Sequence, residues 1–96
     1  MALPEARCHV FVTGVVQGVG FRYFVADAAN AAGASGWVRN LRDGRVELVA
    51  EGSRAGLEQL LALVRQGPRA GRVDHVDETW ERPTGEYRGF RLQSTG

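Results

Sequence analysis

Residues 36–51 read G-W-V-R-N-L-R-D-G-R-V-E-L-V-A-E, and this stretch predicts two β-strands joined by a tight turn. The Asp43-Gly44 pair is the strongest short hairpin signal in the chain, because such turns need backbone angles that asparagine, aspartate and glycine tolerate. Residues 36–41 are expected to form the first strand and residues 45–51 the second. The apolar positions of the second strand that face one way are Val46, Leu48 and Ala50. A β-hairpin is therefore expected in the middle of the chain.

Upstream of this hairpin the sequence predicts a strand, a turn and a helix. Residues 8–15 (C-H-V-F-V-T-G-V) are rich in β-branched side chains and alternate in part, which favours a strand. Residues 16–20 are punctuated by glycine and indicate a turn. Residues 21–32 carry a narrow, mostly alanine apolar face at helical spacing, and Gly33 is suited to end that helix.

Downstream of the hairpin the sequence predicts a second helix and two more strands. Ser53 is a good residue for the start of a helix, since its hydroxyl can accept a free backbone N–H. The apolar positions that follow at i, i+3, i+4 and i+7 are Leu57, Leu60, Leu61 and Val64. Gly67-Pro68 ends the helix. Residues 72–81 and the short segment 89–93 are then predicted as strands.

The predicted order is β-α-β-β-α-β with a short strand at the C-terminal end. This order resembles the ferredoxin-like split βαβ arrangement, an α+β sandwich in which an antiparallel sheet carries two helices on one face. Right-handed crossovers would place the first and third strands side by side in the middle of the sheet. A chain of 96 residues is expected to form a single domain over residues 1–96, with residues 1–7 as an N-terminal extension.

Composition excludes several kinds of chemistry. All 12 basic residues are arginine and the formal net charge is +1, so lysine chemistry is absent and no field for non-specific nucleic-acid binding exists. The single Cys8 and two separated histidines predict no disulfide within the chain, no metal site and no cofactor. The start of the chain lacks the apolar region of a signal peptide, and no apolar run is long enough for a membrane span. A monomer in the cytoplasm, with no nucleic-acid or membrane partner, is expected.

The segment from Gly14 to Arg22 (G-V-V-Q-G-V-G-F-R) is the best candidate for a binding site. Consecutive backbone N–H groups in a glycine turn can converge on an anion, and the N-terminus of the following helix adds a partial positive charge. Arg22 lies in the first turn of that helix, where the helix dipole disfavours a cation. A bound anion would explain its position. A solvent-facing arginine beside a tight turn is the other reading that the spacing allows.

Asn40 is a second candidate, at the end of a predicted strand and on the same side as Val38. Asparagine commonly flanks turns, which accounts for the residue without any function. The functional reading is an amide that orients a water or a substrate oxygen at the edge of the sheet. Spacing along the chain does not place Asn40 beside Arg22.

Several motifs in a fixed order carry a family resemblance. V-Q-G-V-G-F-R at residues 16–22, followed by G-W-V-R-N at residues 36–40 and D-G-R-V-E at residues 43–47, resembles acylphosphatase. The similarity continues in G-R-V-D-H-V from Gly71 and in G-F-R-L from Gly89. The resemblance implies hydrolysis of the carboxyl–phosphate bond of a small acyl phosphate, without a metal, to a carboxylate and inorganic phosphate.

The resemblance also implies roles for individual residues. Arg22 and Asn40 would be the catalytic residues, with Arg22 binding the phosphoryl group and Asn40 holding the attacking water. The backbone amides of the turn would complete the phosphate site, which then also binds inorganic phosphate as product and inhibitor. The residues predicted to bind phosphate are Gln17, Gly18, Val19, Gly20, Phe21 and Arg22. A contact between the carboxylate of Gly96 and an arginine such as Arg22 is left open, against a frayed C-terminal end.

Two other functions compete with this one. A non-catalytic acylphosphatase-like domain, of the kind found at the front of the hydrogenase-maturation carbamoyltransferases, would bind phosphate or carbamoyl phosphate without turnover. A ferredoxin-like RNA-binding module would need exposed aromatic side chains on its central strands. The first strand offers only Phe11 and the third strand offers none, which argues against RNA.

Overall fold

The computed structural model describes residues 3–96, and its elements follow the predicted order. The strands and helices are β1 (Ala6–Val15), α1 (Phe21–Ala31), β2 (Ser35–Asn40), β3 (Val46–Gly52), α2 (Arg54–Gln66), β4 (Arg72–Glu81) and β5 (Phe90–Leu92). The α+β class is therefore confirmed, and most predicted boundaries fall within one residue of the observed ones.

The start of β1 differs from the prediction. β1 begins at Ala6, two residues before the predicted start at Cys8, because Ala6 and Arg7 pair with Gly52 and Glu51 of β3. Part of the predicted N-terminal extension, residues 1–7, thus belongs to the sheet. Met1 and Ala2 lie outside the described residues.

The five strands form one sheet in the order β4-β1-β3-β2-β5. β1 and β3 pair antiparallel in the middle, as the crossover rule predicts. The prediction of a fully antiparallel sheet is wrong at one edge, since β5 pairs parallel with β2. The physical reason is the path of the chain: it leaves β4 and returns at the opposite edge of the sheet, so β5 runs opposite to β4 and in the direction of β2.

Both helices cover one face of the sheet and enclose the core. Every second side chain of β1 from Cys8 to Val12 is buried, as are the apolar positions of α2. Full burial of each large aliphatic side chain contributes roughly 1.5–3 kcal/mol to folding. The Ser53 hydroxyl accepts the backbone N–H of Gly56 at 2.9 Å, which confirms the predicted start of α2.

The opposite face of the sheet carries a buried carboxylate, Glu51, whose side chain is fully inaccessible to solvent. Its oxygens accept the backbone N–H of Thr84 at 2.8 Å and that of Gly85 at 2.9 Å, and the guanidinium of Arg7 lies 3.0 Å away. Burial by itself would raise the pKa of Glu51, but these donors outweigh it and hold the pKa below its ordinary value. Glu51 therefore fastens to the sheet the loop that carries the chain from β4 to β5.

We predict that Glu51→Gln lowers the free energy of unfolding at pH 7 by about 1–3 kcal/mol, because buried donors lose an acceptor. A depressed folded-state pKa means that the ionised carboxyl stabilises the fold above its unfolded pKa of about 4.3 and that this stability is lost as the pH falls through the folded value. Urea unfolding should show that the difference in the free energy of unfolding between wild type and variant is largest at pH 7 and becomes smaller as the pH falls.

The matched control is Glu58→Gln, which removes an exposed carboxylate that pairs with Arg54 four residues earlier on α2. Its effect should stay within about 0.5 kcal/mol. If the loss of unfolding free energy in Glu51→Gln does not change with pH, the stabilising role of the ionised Glu51 carboxyl is contradicted.

Candidate active site

The turn between β1 and α1 has the geometry of an anion site. Gly18 and Gly20 both adopt left-handed backbone angles, with φ of 75° and 76°. Gly20 caps α1 and therefore brings no side chain to the first free N–H groups of the helix. The first turn of α1 contains no acidic residue either. These backbone donors are thus left for a negatively charged ligand.

A cavity of about 190 Å³ opens at this turn. Its lining residues are Val16, Gly18, Gly20, Phe21, Arg22, Tyr23 and Asn40. The structure thus brings Arg22 and Asn40 to one cavity, although 17 residues separate them in the sequence. Four of the six residues predicted to bind phosphate lie on its wall.

Arg22 lines the cavity, and its guanidinium has few polar partners among the described residues. Its closest polar contact is long, 3.5 Å from Nη1 to the backbone oxygen of Gln93. Within residues 3–96 it forms no ion pair with a carboxylate, in contrast to Arg39, which lies 2.8 Å from Glu47. The guanidinium is therefore available for an oxyanion, which it can bind with two parallel N–H groups.

Asn40 lines the same cavity and carries a side-chain acceptor without a partner among the described residues. Its Oδ1 atom is buried, and among the described residues no donor lies within hydrogen-bond reach. An acceptor buried without a partner costs about 1–3 kcal/mol, so the position favours a water or ligand that donates a hydrogen. An amide oxygen of this kind can orient a water molecule.

The structure separates Gln17 and Val19 from the other predicted phosphate-binding residues. The side-chain amide of Gln17 points to the β2–β3 turn, where Nε2 donates to the backbone oxygens of Leu41 and Arg45. Val19 packs against the apolar core. The reason is that a short turn must anchor itself through some of its side chains. The predicted backbone N–H contacts of Gln17 and Val19 to phosphate stay predictions.

Tyr23 is the aromatic residue at the rim of the cavity, and 62% of it is exposed. Tyr23 and Phe24, the two aromatic residues that follow Arg22, have different surroundings. Phe24 packs against the core, whereas Tyr23 lines the cavity. Val16 is a lining residue that the sequence reading did not single out.

The C-terminal end lies beside β2 and not at Arg22. The backbone N–H of Gly96 donates to the oxygen of Asn40 at 3.0 Å, and the oxygen of Gly96 accepts from Arg42 at 3.3 Å. Gly96 also lies against the guanidinium of Arg39. This pairing extends the β5 segment along β2 and places Gly96 against Arg39 and Arg42 rather than Arg22.

A second cavity, of about 310 Å³, lies between β2 and the segment leading into β5. It is larger, and Glu86, Arg88 and Arg91 line it, but none of its lining residues begins a helix. The remaining candidates for chemistry are the thiol of Cys8 and groups of metal-ligating side chains. Cys8 is buried, which raises the pKa of its thiol to about 11. Within residues 3–96 no three His, Cys, Asp or Glu side chains are grouped to hold a metal.

The fold and the cavity together define a small α+β domain with a cavity at the start of a helix that is suited to an oxyanion. Comparison with known proteins makes the class specific: the acylphosphatase family model matches residues 8–92, and the chain belongs to this family. It is 52% identical to an acylphosphatase of Roseiflexus sp. over 94% of this chain and 97% of that one, and 49% identical to one of Chloroflexus aurantiacus over 90% and 94%.

Solved structures agree with this placement. The crystal structure of acylphosphatase from Bacillus subtilis superposes with a TM-score of 0.90 at 36% identity, and the match covers 93% of this chain and 99% of that one. A full-length HypF structure, in its phosphate- and nucleotide-bound form, superposes with a TM-score of 0.83 at 26% identity. That match covers 98% of this chain but 13% of HypF.

We predict that Gly20→Ala and Gly33→Ala each destabilise the protein by about 1–2 kcal/mol, because both positions have positive φ, 76° and 71°. Neither added methyl group would meet a neighbouring atom within 4 Å, so the cost comes from the backbone alone. Only Gly20→Ala should also weaken the binding of inorganic phosphate, since Gly33 lies at the far end of α1. Chemical unfolding and calorimetric titration measure the two effects. Equal loss of phosphate binding in both variants would contradict the site.

Proposed function

We propose that this protein is an acylphosphatase that hydrolyses the carboxyl–phosphate bond of acyl phosphates to a carboxylate and inorganic phosphate. The observation that carries the proposal is the convergence of Arg22 and Asn40 on one cavity beside a glycine turn, with Oδ1 of Asn40 buried without a partner among the described residues, in a chain of this family. The substrate class is small molecules, in keeping with the size of the cavity.

Arg22 and the turn bind the phosphoryl group in this mechanism. The guanidinium contacts two phosphoryl oxygens, and backbone N–H groups of residues 17–21 donate to the equatorial oxygens. Phosphoryl transfer depends mainly on positioning and on stabilisation of the charge on these oxygens. Donors fixed by the backbone need no reorganisation as that charge develops, so the site favours the transition state.

Asn40 holds the attacking water. Its Oδ1 accepts one hydrogen of the water and directs the oxygen lone pair at phosphorus. The bond from phosphorus to the acyl oxygen breaks, and the carboxylate leaves with the electron pair. The lining residues include no Asp, Glu or His, so the proton of the water passes to an oxygen of the substrate's own phosphate. A carboxylate is a good leaving group, so a strong base is unnecessary.

The alternative is a phosphate- or carbamoyl phosphate-binding domain without turnover, as in HypF-type proteins. The comparisons favour the enzyme, because identity is 52% to the Roseiflexus acylphosphatase and 26% to HypF. The monomeric state and the cytoplasmic location stay predictions from the sequence. Within residues 3–96, no helix combines the length and the apolar character that a membrane span requires.

We expect wild-type protein to hydrolyse benzoyl phosphate in the presence of EDTA. Arg22→Gln should lose phosphate binding and turnover together, whereas Asn40→Ala should still bind phosphate while kcat falls roughly 10²–10³-fold, the loss typical of a removed electrostatic or positioning group. Steady-state kinetics and calorimetric titration with phosphate separate the two.

The matched controls are Arg88→Gln and Asn30→Ala, exposed residues that do not line the cavity. Both should keep wild-type kinetics. Full activity in either site variant would break the assignment, and tight phosphate binding without turnover by wild type would establish the binding-domain alternative.

The pH dependence tests the proton transfer. With no Asp, Glu or His on the described cavity wall, kcat/KM for benzoyl phosphate should follow the ionisation of the substrate's phosphate alone. Substrates of different phosphate pKa should move the profile accordingly. A limb of the profile that stays fixed when the substrate changes would identify an enzyme side chain and refute the substrate-assisted step.

A further inference from the structure

The side chain of Gln17 joins two parts of the site that are distant in sequence. Its Nε2 lies 2.7 Å from the backbone oxygen of Leu41 and 2.8 Å from that of Arg45. A primary amide has two N–H groups, and both are used in these bonds. Gln17 therefore has no N–H left in its side chain for a phosphate ligand.

The acceptors of Gln17 belong to a turn that is itself closed. Leu41 donates its N–H to the oxygen of Arg45 at 2.8 Å, and Gly44 donates to the oxygen of Leu41 at 3.1 Å. Each carbonyl oxygen has two lone pairs, so each accepts from the turn and from Gln17 at once. Gln17 is thus bonded to a defined backbone unit.

Leu41 directly follows Asn40, whose side chain faces the cavity. Gln17 directly precedes Gly18, which lines the same cavity. The glycines of the turn have little packing of their own, since no atom lies within 4 Å of the position of an added Cβ at Gly18 or Gly20. The Gln17 side chain is accordingly the polar link that fixes the wall of the turn relative to Asn40.

We propose that Gln17 is a positioning residue, which sets the distance between the phosphoryl group on the turn and the water held by Asn40; this inference rests on the proposed function. The side chain of Gln17 touches neither substrate nor water. Its effect on the reaction passes through Asn40, so removing it displaces the water from phosphorus. A displacement of about 1 Å can cost on the order of 100-fold in rate.

The test is the substitution Gln17→Met, which keeps the length of the side chain and removes both donors. We expect kcat for benzoyl phosphate to fall about 10- to 100-fold. The inhibition constant of inorganic phosphate should change by less than about threefold, because Arg22 and the turn remain. Gln59→Ala, on the exposed face of α2, is the matched control and should behave as wild type.

A double-mutant cycle with Asn40→Ala separates positioning from general destabilisation. If Gln17 acts through Asn40, adding Gln17→Met to Asn40→Ala should cost less than about threefold in kcat. The same 10- to 100-fold cost in both backgrounds, or a kcat of Gln17→Met within about twofold of wild type, would overturn the inference. Should Gln17→Met not fold, Gln17→Glu, which loses the donors at neutral pH, takes its place in the cycle.

One further measurement does not depend on turnover. Hydrogen exchange by NMR should show the side-chain amide protons of Gln17 protected relative to those of Gln59 in wild type. Equal exchange would mean that the link is absent and would also overturn the inference. If wild type hydrolyses no acyl phosphate while Gln17 is protected, the proposed function fails and the structural link stands. Conversely, if wild type hydrolyses acyl phosphates but turnover does not change when Gln17 is replaced, the proposed function stands and the positioning role fails.

Discussion

The site depends on the pairing of β1 and β2 with the same strand. Both are antiparallel to β3, and Val46 of β3 lies opposite both Val12 and Asn40. Two strands that pair antiparallel with one neighbour run in the same direction and end at the same edge of the sheet. The turn that follows β1 therefore opens beside the end of β2, and everything proposed for the reaction follows from that placement.

The two ends of the sheet are built differently. At the end away from the cavity, Glu51 is buried and accepts hydrogen bonds from Arg7 and from the loop around Thr84. At the cavity end, two glycines adopt left-handed angles and Asn40 buries an acceptor without a partner. Glycine adopts these angles readily, but the unpaired acceptor costs stability and persists only where the surrounding structure holds it. The apolar core and the Glu51 network supply that support.

The buried Glu51 carboxylate also explains how the short strand β5 is held at the edge of the sheet. β5 has three residues and pairs only with β2. Its loop is attached to the sheet through Glu51, and its continuation is attached through the Gly96 contact to Asn40. The backbone of Asn40 is thus held on one side by β3 and on the other by the C-terminal segment, while its side chain is directed into the cavity.

The order of the strands and helices and the position of a candidate anion site follow from the amino-acid sequence alone. Alternation, the Asp43-Gly44 turn and the leucine spacing are local signals, so they predicted the strands and helices, and the cation at a helix start indicated an anion site at Arg22. Which residues from distant segments come into contact is known only from the folded structure. The parallel pairing of β5, the convergence of Asn40 with Arg22 and the bonds of Gln17 to the β2–β3 turn each join segments far apart in the chain. Local spacing contains no information on such contacts, because the register of the sheet fixes them.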